Sequence, residues 1–345
     1  MSTRVDTQGM WDVSAGLPEQ VAQAAIQANA LGGLPLRHQI ENIVVLGMGG
    51  SGISGDVLLA AAAPFMAVPV TVVKSYNLPA FVSRGTLVFA VSFSGDTEET
   101  LEASQLAYEQ GAYLVVVTSG GELGKFADES AIPLIRVPSD IPQPRGAIGA
   151  LSIPPLVVLE DIGLFPGATY WIDLAIAQLR RRRDQLLLSG NPAEILAERL
   201  FGKIPVMHSA GSIGAAGALR WKAQINENVK SPAFYSVYPE NCHNEITGWE
   251  NLLMVTKENL AIVSLRHDGE HPQVYRRMEI GRTLLSEKVA SYSEFRAEGD
   301  GDLAQLFDLI ITGDFLSLHL ADLAGVDPGP VPILADLKGR LRSEL

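Results

Sequence analysis

The chain has 345 residues, 47% of them hydrophobic and 19% charged, which is enough apolar material for the cores of two domains. Its 26 basic and 39 acidic side chains give a formal net charge of −13. This balance argues against a nucleic-acid-binding protein, because such proteins present a basic face. The single cysteine, Cys242, excludes an intramolecular disulfide bond and a cysteine-based zinc site.

The sequence also argues against a membrane or secreted protein. No uninterrupted apolar run approaches the roughly 20 residues that span a bilayer. The opening residues, MSTRVDTQGMWDV, lack the basic-then-apolar pattern of a secretory signal peptide. We therefore expect a cytoplasmic protein that binds neither membranes nor nucleic acid.

The first half of the chain alternates apolar strands with helices. A helix is predicted within the first thirty residues, over PEQVAQAAIQANAL. The predicted strands that follow are ENIVVLG, VPVTVVKSY, TLVFAVSFSG, AYLVVVTSGG and AIPLIRVP, with helices over DVLLAAAA and TEETLEASQLAYEQGA. Continuous apolar strands that alternate with helices are typical of a parallel sheet covered on both faces.

The second half repeats this order after a helical connection. Residues Ala150 to Arg183 predict helix with a break at Gly163–Gly167, and the run Arg180–Arg183 predicts a solvated helix face. VMHSAGSIGAAG then echoes the earlier VVLGMGGSGISG, so we expect a second, degenerate copy of the first α/β domain. Further predicted elements are a strand over NLAIVSLR and helices over QVYRRMEIGRTLLSEK, DLAQLFDLIITGDFLSLHLADLAGV and PILADLKGRLRSEL.

The first glycine loop leaves two ligands open. Gly47, Gly49 and Gly52 match the G-x-G-x-x-G fingerprint of dinucleotide-binding loops. Such sites also need a carboxylate at the end of the second strand to hold the ribose, and here that strand ends in Lys74. NADP could use Lys74, so an NAD(P)-dependent oxidoreductase remains an alternative.

The next strand-to-helix junction, VSFSGDTEETL, favours a phosphate. Ser92, Ser94 and Thr97 surround a glycine at the start of a helix, beside the loop that carries Ser51. Hydroxyl groups and free helix N–H groups together form an anion site. The alternative is that Ser94 or Thr97 only caps the helix.

These motifs resemble a sugar isomerase (SIS) domain, and the whole chain resembles the bifunctional phosphoglucose/phosphomannose isomerase family, which has two such domains. The likeness runs from about Leu34 to the C-terminus and rests on the serine loop, PQPRGAIG, RWKAQINENVK and ENCHNEITGW. It implies an α/β fold with two SIS-type domains, each a mainly parallel sheet flanked by helices in a flavodoxin-like three-layer sandwich. The expected division is an N-terminal helical segment (1–30), a phosphate-binding SIS domain (31–165), a second SIS domain (166–325) and a C-terminal tail that contributes to the active site (326–345).

The resemblance also implies an activity. Members interconvert glucose 6-phosphate and mannose 6-phosphate with fructose 6-phosphate, by proton transfer through an enediolate, without a cofactor or a metal ion. SIS-like sequences also include proteins that only bind sugar phosphates and regulate, and this is the alternative function. The resemblance assigns substrate phosphate binding to Gly49, Gly50, Ser51, Ser92, Ser94 and Thr97.

The resemblance assigns the two proton-transfer groups as well. Glu227 stands in the E-N-x-K context of the family's catalytic base, although spacing alone favours a surface carboxylate paired with Lys222 or Lys230. His243 matches a histidine that opens the sugar ring in the neighbouring subunit's active site, so we expect a homodimer. From its loop position alone, His243 is as readily a cap for Glu245 or a carbonyl group.

Two further cations complete the expected site. Arg145 matches an active-site arginine that holds the enediolate or a sugar hydroxyl, and an ordinary loop salt bridge is the alternative. Lys338 matches a C-terminal lysine that assists ring opening. One position departs from the family, because Gly329 stands in VDPGPV where a hydroxyl residue is expected, which leaves the preference between glucose and mannose open. His208, His267, His271 and His319 are scattered and receive no role.

Overall fold

The structure is a computed structural model that describes residues 5–29 and 31–343. Two helices come first, α1 (Met10–Ala15) and α2 (Leu17–Ala28). A proline in the first turn of α2 costs no hydrogen bond there, because the first N–H groups of a helix have no partner within it. The buried residues of α2 recur every three or four positions, as one face of a helix requires, and they are Leu17, Pro18, Val21, Ala24 and Ala28.

The next part of the chain forms a five-stranded sheet with three helices. Its strands are β1 (Asn42–Leu46), β2 (Val70–Val73), β3 (Thr86–Ser92), β4 (Tyr113–Thr118) and β5 (Leu134–Arg136), and its helices are α3 (Gly49–Ala61), α4 (Glu98–Glu109) and α5 (Gly121–Glu129). The strand order is β2-β1-β3-β4-β5, with every neighbouring pair parallel. In β1, Val45 faces one apolar core and Val44 the other, so helices cover both faces as predicted.

Three helices connect this sheet to the second one, namely α6 (Ile148–Ile162), α7 (Ala168–Leu186) and α8 (Pro192–Leu200). The predicted break between α6 and α7 is confirmed, and Gly163 and Gly167 adopt the left-handed conformation that glycine accommodates. The prediction of a solvated arginine face on α7 is wrong for Arg182. That side chain is 3% exposed and forms a buried ion pair with Asp308.

The second sheet repeats the strand order of the first. Its strands are β6 (Ile204–Ala210), β7 (Phe234–Tyr238), β8 (Leu260–Arg266) and β9 (Ser291–Arg296), and the helices of this half are α9 (Gly211–Gln224), α10 (Glu245–Gly248), α11 (Leu253–Asn259), α12 (Pro272–Leu285), α13 (Asp302–Ala324) and α14 (Pro332–Ser343). The order β7-β6-β8-β9 is parallel throughout and corresponds to β2-β1-β3-β4. The predicted internal repeat is therefore confirmed.

One continuous core lies between the two sheets. It contains α6 and α13 together with α3 and α9, the two helices that follow the glycine loops and that contact each other. Within the described ranges, α13 is the one helix long and apolar enough to cross a membrane, but 94% of its apolar window is buried inside the protein. The packing of α3 against α9 brings the glycine loop of the first half close to the Glu227 segment of the second.

Candidate active site

The two predicted phosphate-binding loops lie side by side at the carboxyl ends of β1 and β3. The glycine loop ends β1 and supplies the first turn of α3, which begins at Gly49. The Oγ atom of Ser51 accepts a hydrogen bond from the main-chain N–H of Phe93 (3.0 Å), which ties this loop to the turn after β3. Two helix N-termini, of α3 and α4, therefore open at one edge of the sheet, where α/β proteins bind ligands.

The hydroxyl groups after β3 shape the turn and leave the start of α4 uncapped. Ser92 donates to Thr97 Oγ1 (3.0 Å) and accepts from the N–H of Gly95 (3.1 Å), while Ser94 accepts from the N–H of Asp96 (3.2 Å). Thr97 occupies the N-cap position of α4, yet its side chain makes no capping hydrogen bond. Neither Ser94 nor Thr97 therefore caps α4, and the N–H groups in the first turn of that helix remain open to an anion.

Burial divides the six predicted phosphate-binding residues. Ser51 and Ser92 are buried, at 5% and 1% exposure. Ser51 links the two loops, and Ser92 braces the turn after β3. Ser94 and Gly49 are exposed, and Thr97 is partly exposed together with Gly50. The accessible atoms of the cradle are therefore main-chain N–H groups and the hydroxyls after β3, with Ser51 and Ser92 behind them.

Close packing within the first glycine loop explains its glycines. A Cβ atom on Gly52 would lie 2.8 Å from the carbonyl oxygen of Gly47, and one on Gly50 would lie 3.0 Å from the main-chain nitrogen of Arg145. Lys74, the residue an NADP phosphate would need, forms a salt bridge with Asp56. The fingerprint therefore reflects the shape of the loop and its contact with Arg145, and it gives no support to a dinucleotide site.

Arg145 is the centre of the site, with its side chain 2% exposed. Its Nη1 donates to Glu227 Oε2 (3.2 Å) and its Nε to Asn228 Oδ1 (2.8 Å). Its Nη2 donates to the carbonyl oxygens of Pro328 (2.5 Å) and Gly329 (2.7 Å). An ordinary loop salt bridge is therefore excluded, because this guanidinium joins the first domain, the Glu227 segment and the C-terminal turn.

Glu227 lies in a single π-helical turn, Ile225–Val229, that continues α9. Such turns widen a helix locally and are frequent at functional sites. The Glu227 side chain is 28% exposed and forms its ion pair with Arg145, whereas the Lys230 ammonium donates to the carbonyl oxygen of Asp327 (2.6 Å). A carboxylate held by one buried cation and open to a cavity is suited to proton transfer.

Burial lowers the pKa values of two cations near Glu227, namely Arg145 and Lys230. It lowers the pKa of the Arg145 guanidinium below its usual value, and the facing Glu227 carboxylate opposes that shift. Burial, and then the positive charge of Arg145, lowers the pKa of Lys230. Arginine keeps its charge near neutral pH even so, and Arg145 therefore presents a fixed positive charge next to Glu227.

The C-terminal helix α14 joins the two halves of the site. Lys338 lines a cavity of about 410 Å³ together with Glu227, and a second cavity of about 360 Å³ together with Ser94 and Thr97. Three carboxylate side chains, those of Asp96, Glu98 and Glu99, also line the second cavity. Lys338 thus lines both the cavity of the candidate base and the cavity of the predicted phosphate-binding turn.

Gly329 is packed against the N-terminal segment. A Cβ atom at this position would lie 2.8 Å from the Cβ of Gln8, whose side-chain oxygen accepts from Gln143 Nε2 (2.7 Å). Gln143 in turn accepts from Arg145 Nη1 (3.1 Å). The space that a side chain would need at position 329 is therefore filled by Gln8, which lines the Glu227 cavity.

We predict that Gly329→Ser lowers the free energy of unfolding by about 1–3 kcal/mol, the usual cost of overpacking. The contact partner is Gln8, so the same substitution should cost less in a Gln8→Gly background. Denaturant unfolding of the two single variants and the double variant measures this coupling. Additive losses in the double-mutant cycle would show that Gln8 is not what excludes a side chain at position 329.

His243 lies apart from this cluster. It is exposed, in the short 3₁₀ turn Glu240–His243 after β7, and it lines neither cavity. Glu245, which His243 could have capped, instead forms a hydrogen bond with Nε2 of His208 (3.1 Å). His208 is buried, and the sequence assigns it no role. The described chain therefore assembles Glu227, Arg145 and Lys338 by itself but does not bring His243 to them.

The second glycine loop is filled by a side chain of its own domain. His267 is 2% exposed, bonds the carbonyl oxygen of Ala210 through Nε2 (2.8 Å), and lies 3.7 Å from where a Cβ on Gly211 would be. This imidazole occupies the start of α9, where the first domain has an open helix N-terminus. The repeat is thus degenerate at its loop, as predicted.

Several site residues were not predicted. Gln143 lies inside the motif PQPRGAIG, and Asn228 lies inside RWKAQINENVK. Their positions near Arg145 and Glu227 in the sequence are the only feature that could have indicated a role in the site. Gln8 has no such signal, because it reaches the site from a segment that is remote in sequence. Within residues 5–29 and 31–343, no group of three or more His, Cys, Asp or Glu side chains is placed to hold a metal ion.

Comparison with known proteins identifies the family. Residues 36–134 match the SIS domain, and residues 189–341 match the bacterial phospho-glucose isomerase C-terminal SIS domain. A bifunctional phosphoglucose/phosphomannose isomerase from Caldicellulosiruptor bescii is 35% identical over 96% of this chain and 98% of its own length. The chain belongs to the bifunctional phosphoglucose/phosphomannose isomerase family. The resemblance stated from the sequence is thereby confirmed.

Further relatives agree with this membership. A second bifunctional phosphoglucose/phosphomannose isomerase, from Aquifex aeolicus, is 34% identical over 88% of this chain and 91% of its own length. Among solved structures, a hypothetical protein from Thermus thermophilus superimposes with a TM-score of 0.73 at 17% identity, covering 97% of this chain and 90% of that one. The predicted α/β fold with two SIS-type domains is confirmed.

Proposed function

We propose that this protein is an aldose–ketose isomerase that interconverts glucose 6-phosphate and mannose 6-phosphate with fructose 6-phosphate. The observation that carries the proposal is the pair of Arg145 and Glu227, 3.2 Å apart, at a cavity that Lys338 connects to the phosphate-binding turn. The names of the family members that match most of the chain support the same substrates.

In this proposal the substrate phosphate binds the open starts of α3 and α4. Main-chain N–H groups of Gly49 and Gly50 and the hydroxyls of Ser94 and Thr97 contact it. Ser51 links the two loops, and Ser92 shapes the turn after β3. Each hydrogen bond to a charged group contributes about 1.5–3 kcal/mol. A few such bonds anchor a phosphate monoester even in a chain with a net charge of −13.

Glu227 then moves the proton. Its carboxylate takes the proton from C1 of fructose 6-phosphate or from C2 of an aldose, and the electron pair forms an enediolate whose negative oxygen faces Arg145. The hydroxyl proton then passes between O1 and O2, so that the negative charge moves to the oxygen of the carbon that becomes the carbonyl. Returning the proton from Glu227 to the neighbouring carbon completes the isomerisation, and delivery to either face of C2 gives either aldose. Lys338 serves ring opening, so the C-terminal tail contributes to the active site.

We further propose that the active enzyme is a homodimer in which the partner subunit supplies the ring-opening histidine. His243 is exposed and lines neither of the two cavities at the site. Four consecutive apolar residues lie a few positions after it in the sequence, and all four are exposed. The exposed fractions of Leu252, Leu253, Met254 and Val255 are 68, 38, 84 and 51%. A contiguous apolar surface of this kind is typical of a protein interface. A cytoplasmic location, in keeping with the free thiol of Cys242, completes the proposal.

One assay tests the reaction class. The purified protein is incubated with fructose 6-phosphate in EDTA, without any nicotinamide nucleotide, and the products are separated and quantified. We expect both glucose 6-phosphate and mannose 6-phosphate to accumulate. A sugar-phosphate-binding regulator would bind fructose 6-phosphate and leave it unchanged, and that result would replace the proposed function.

A further inference from the structure

Helix α13 contributes an aspartate to each of two buried triads, and a neighbouring helix adds an Arg and a Gln to each of them. In the first, Asp314 is held by Arg220 through two hydrogen bonds of 2.9 and 2.8 Å and by Gln224 (2.8 Å). We name Asp314, Arg220 and Gln224 the inner triad. The second stands six residues earlier and consists of Asp308, Arg182 and Gln178, with bonds of 2.7, 2.9 and 2.7 Å.

This second set, the outer triad, differs from the inner triad in what it touches. Arg220 Nη2 also donates to the main-chain carbonyl oxygen of Arg145 (2.8 Å). The outer triad instead reaches the main-chain N–H of Glu298 (2.9 Å), the carboxylate of Glu298 (3.2 Å) and the side chain of Gln185 (3.0 Å). The two triads thus share the same three residue types and the same Asp–Arg bonding, and only the inner triad contacts the candidate site.

A second connection runs from α13 to the same arginine. Asn228, which accepts from Arg145 Nε, donates to Ser317 Oγ (2.8 Å), and Ser317 donates to the carbonyl oxygen of Asp314 (2.7 Å). One turn of α13 therefore fixes both the main chain and the guanidinium of Arg145. Buried ion pairs are weak stabilisers compared with apolar packing, so stability alone does not account for this arrangement.

We propose that the inner triad positions Arg145 for the reaction, so that its guanidinium stands at the correct distance from Glu227 and from the enediolate oxygen. This inference rests on the proposed isomerase function. Arg220 and Asp314 are positioning residues, since they act through Arg145 and line neither cavity at the site. Catalytic groups need to be held within about half an ångström of their reactive positions, and a rigid core helix provides such support.

The test replaces each ion pair by apolar residues of similar size, since such exchanges preserve folding in many proteins. The inner variant is Arg220→Met with Asp314→Leu, and the matched control is Arg182→Met with Asp308→Leu. Urea unfolding, kcat and KM for fructose 6-phosphate are measured for both. We expect the inner variant to keep a cooperative transition and its KM within about threefold, while kcat falls about 10- to 100-fold. The control should retain kcat.

Arg220→Lys provides an independent variant, because lysine keeps the buried charge but cannot span Asp314 and the Arg145 carbonyl as the guanidinium does. We expect Arg220→Lys to lower kcat as well, whereas Arg182→Lys should leave kcat unchanged. Equal losses of kcat in the inner and outer variants, or a fully active inner variant, would overturn the inference. Failure of the proposed function itself would be recognised separately, because the wild-type protein would then form no aldose.

Discussion

The variant Glu227→Gln is expected to lose about 10²–10⁴-fold in kcat, the usual contribution of a positioned general base. An amide of the same shape keeps a hydrogen-bond acceptor toward Arg145, so the site should stay folded. It cannot take up a proton, so the step between C1 and C2 stops. The phosphate-binding turns are on other elements, and the affinity for fructose 6-phosphate should therefore change little.

Calorimetric titration with fructose 6-phosphate and a steady-state assay measure the two quantities separately. Glu19→Gln is the matched control, because Glu19 is an exposed carboxylate paired with Arg183 and lines neither cavity at the site. It should behave as the wild type in both measurements. Near-normal turnover by Glu227→Gln would remove this residue from the mechanism, whatever its effect on binding.

His243→Ala is expected to lower turnover of the cyclic substrates about 10²–10⁴-fold, because it removes the proposed proton donor for ring opening. A mixing experiment shows which subunit uses it. When the Glu227→Gln and His243→Ala proteins are unfolded, mixed and refolded together, each mixed dimer contains one site with both native residues if His243 acts across the interface. Random pairing in a two-fold dimer then restores about a quarter of wild-type activity.

The same mixture gives a different result if His243 acts within its own chain. Every site would then carry one of the two substitutions, and no activity would return. Each variant refolded alone provides the baseline, and size-exclusion chromatography confirms that dimers have formed. A persistent monomer with full activity would contradict the dimer proposal directly.

The sequence predicts the fold well where strands are buried on both faces. Strands such as β1 and β3 are continuous apolar runs, and each is followed by a glycine or serine turn and a helix. It does not predict β7 and β9, which are edge strands with the mixed sequences FYSVY and SYSEFR. Partly exposed edge strands carry no continuous apolar pattern, so their pairing with β6 and β8 is what makes them strands.

The candidate site is predicted only as far as its motifs extend. The glycine loop, Arg145 and Glu227 each stand in a recognisable motif, and the structure brings them together. The contacts of Arg145 with the carbonyl oxygens of Pro328 and Gly329 depend on how the C-terminal turn packs, and no local pattern encodes them. The burial of Arg182 is not predictable from the sequence for the same reason, since its partner Asp308 lies 126 positions away.

The transfer of a proton by Glu227 is tested most directly by turnover of fructose 6-phosphate in D₂O, followed by NMR. A carboxylate that removes the proton from C1 and later returns it to C2 exchanges that proton with the solvent in some turnovers. We therefore expect deuterium at C2 of both glucose 6-phosphate and mannose 6-phosphate. Products that form at full rate with no solvent deuterium at C2 would contradict it, because the hydrogen would then pass directly from carbon to carbon.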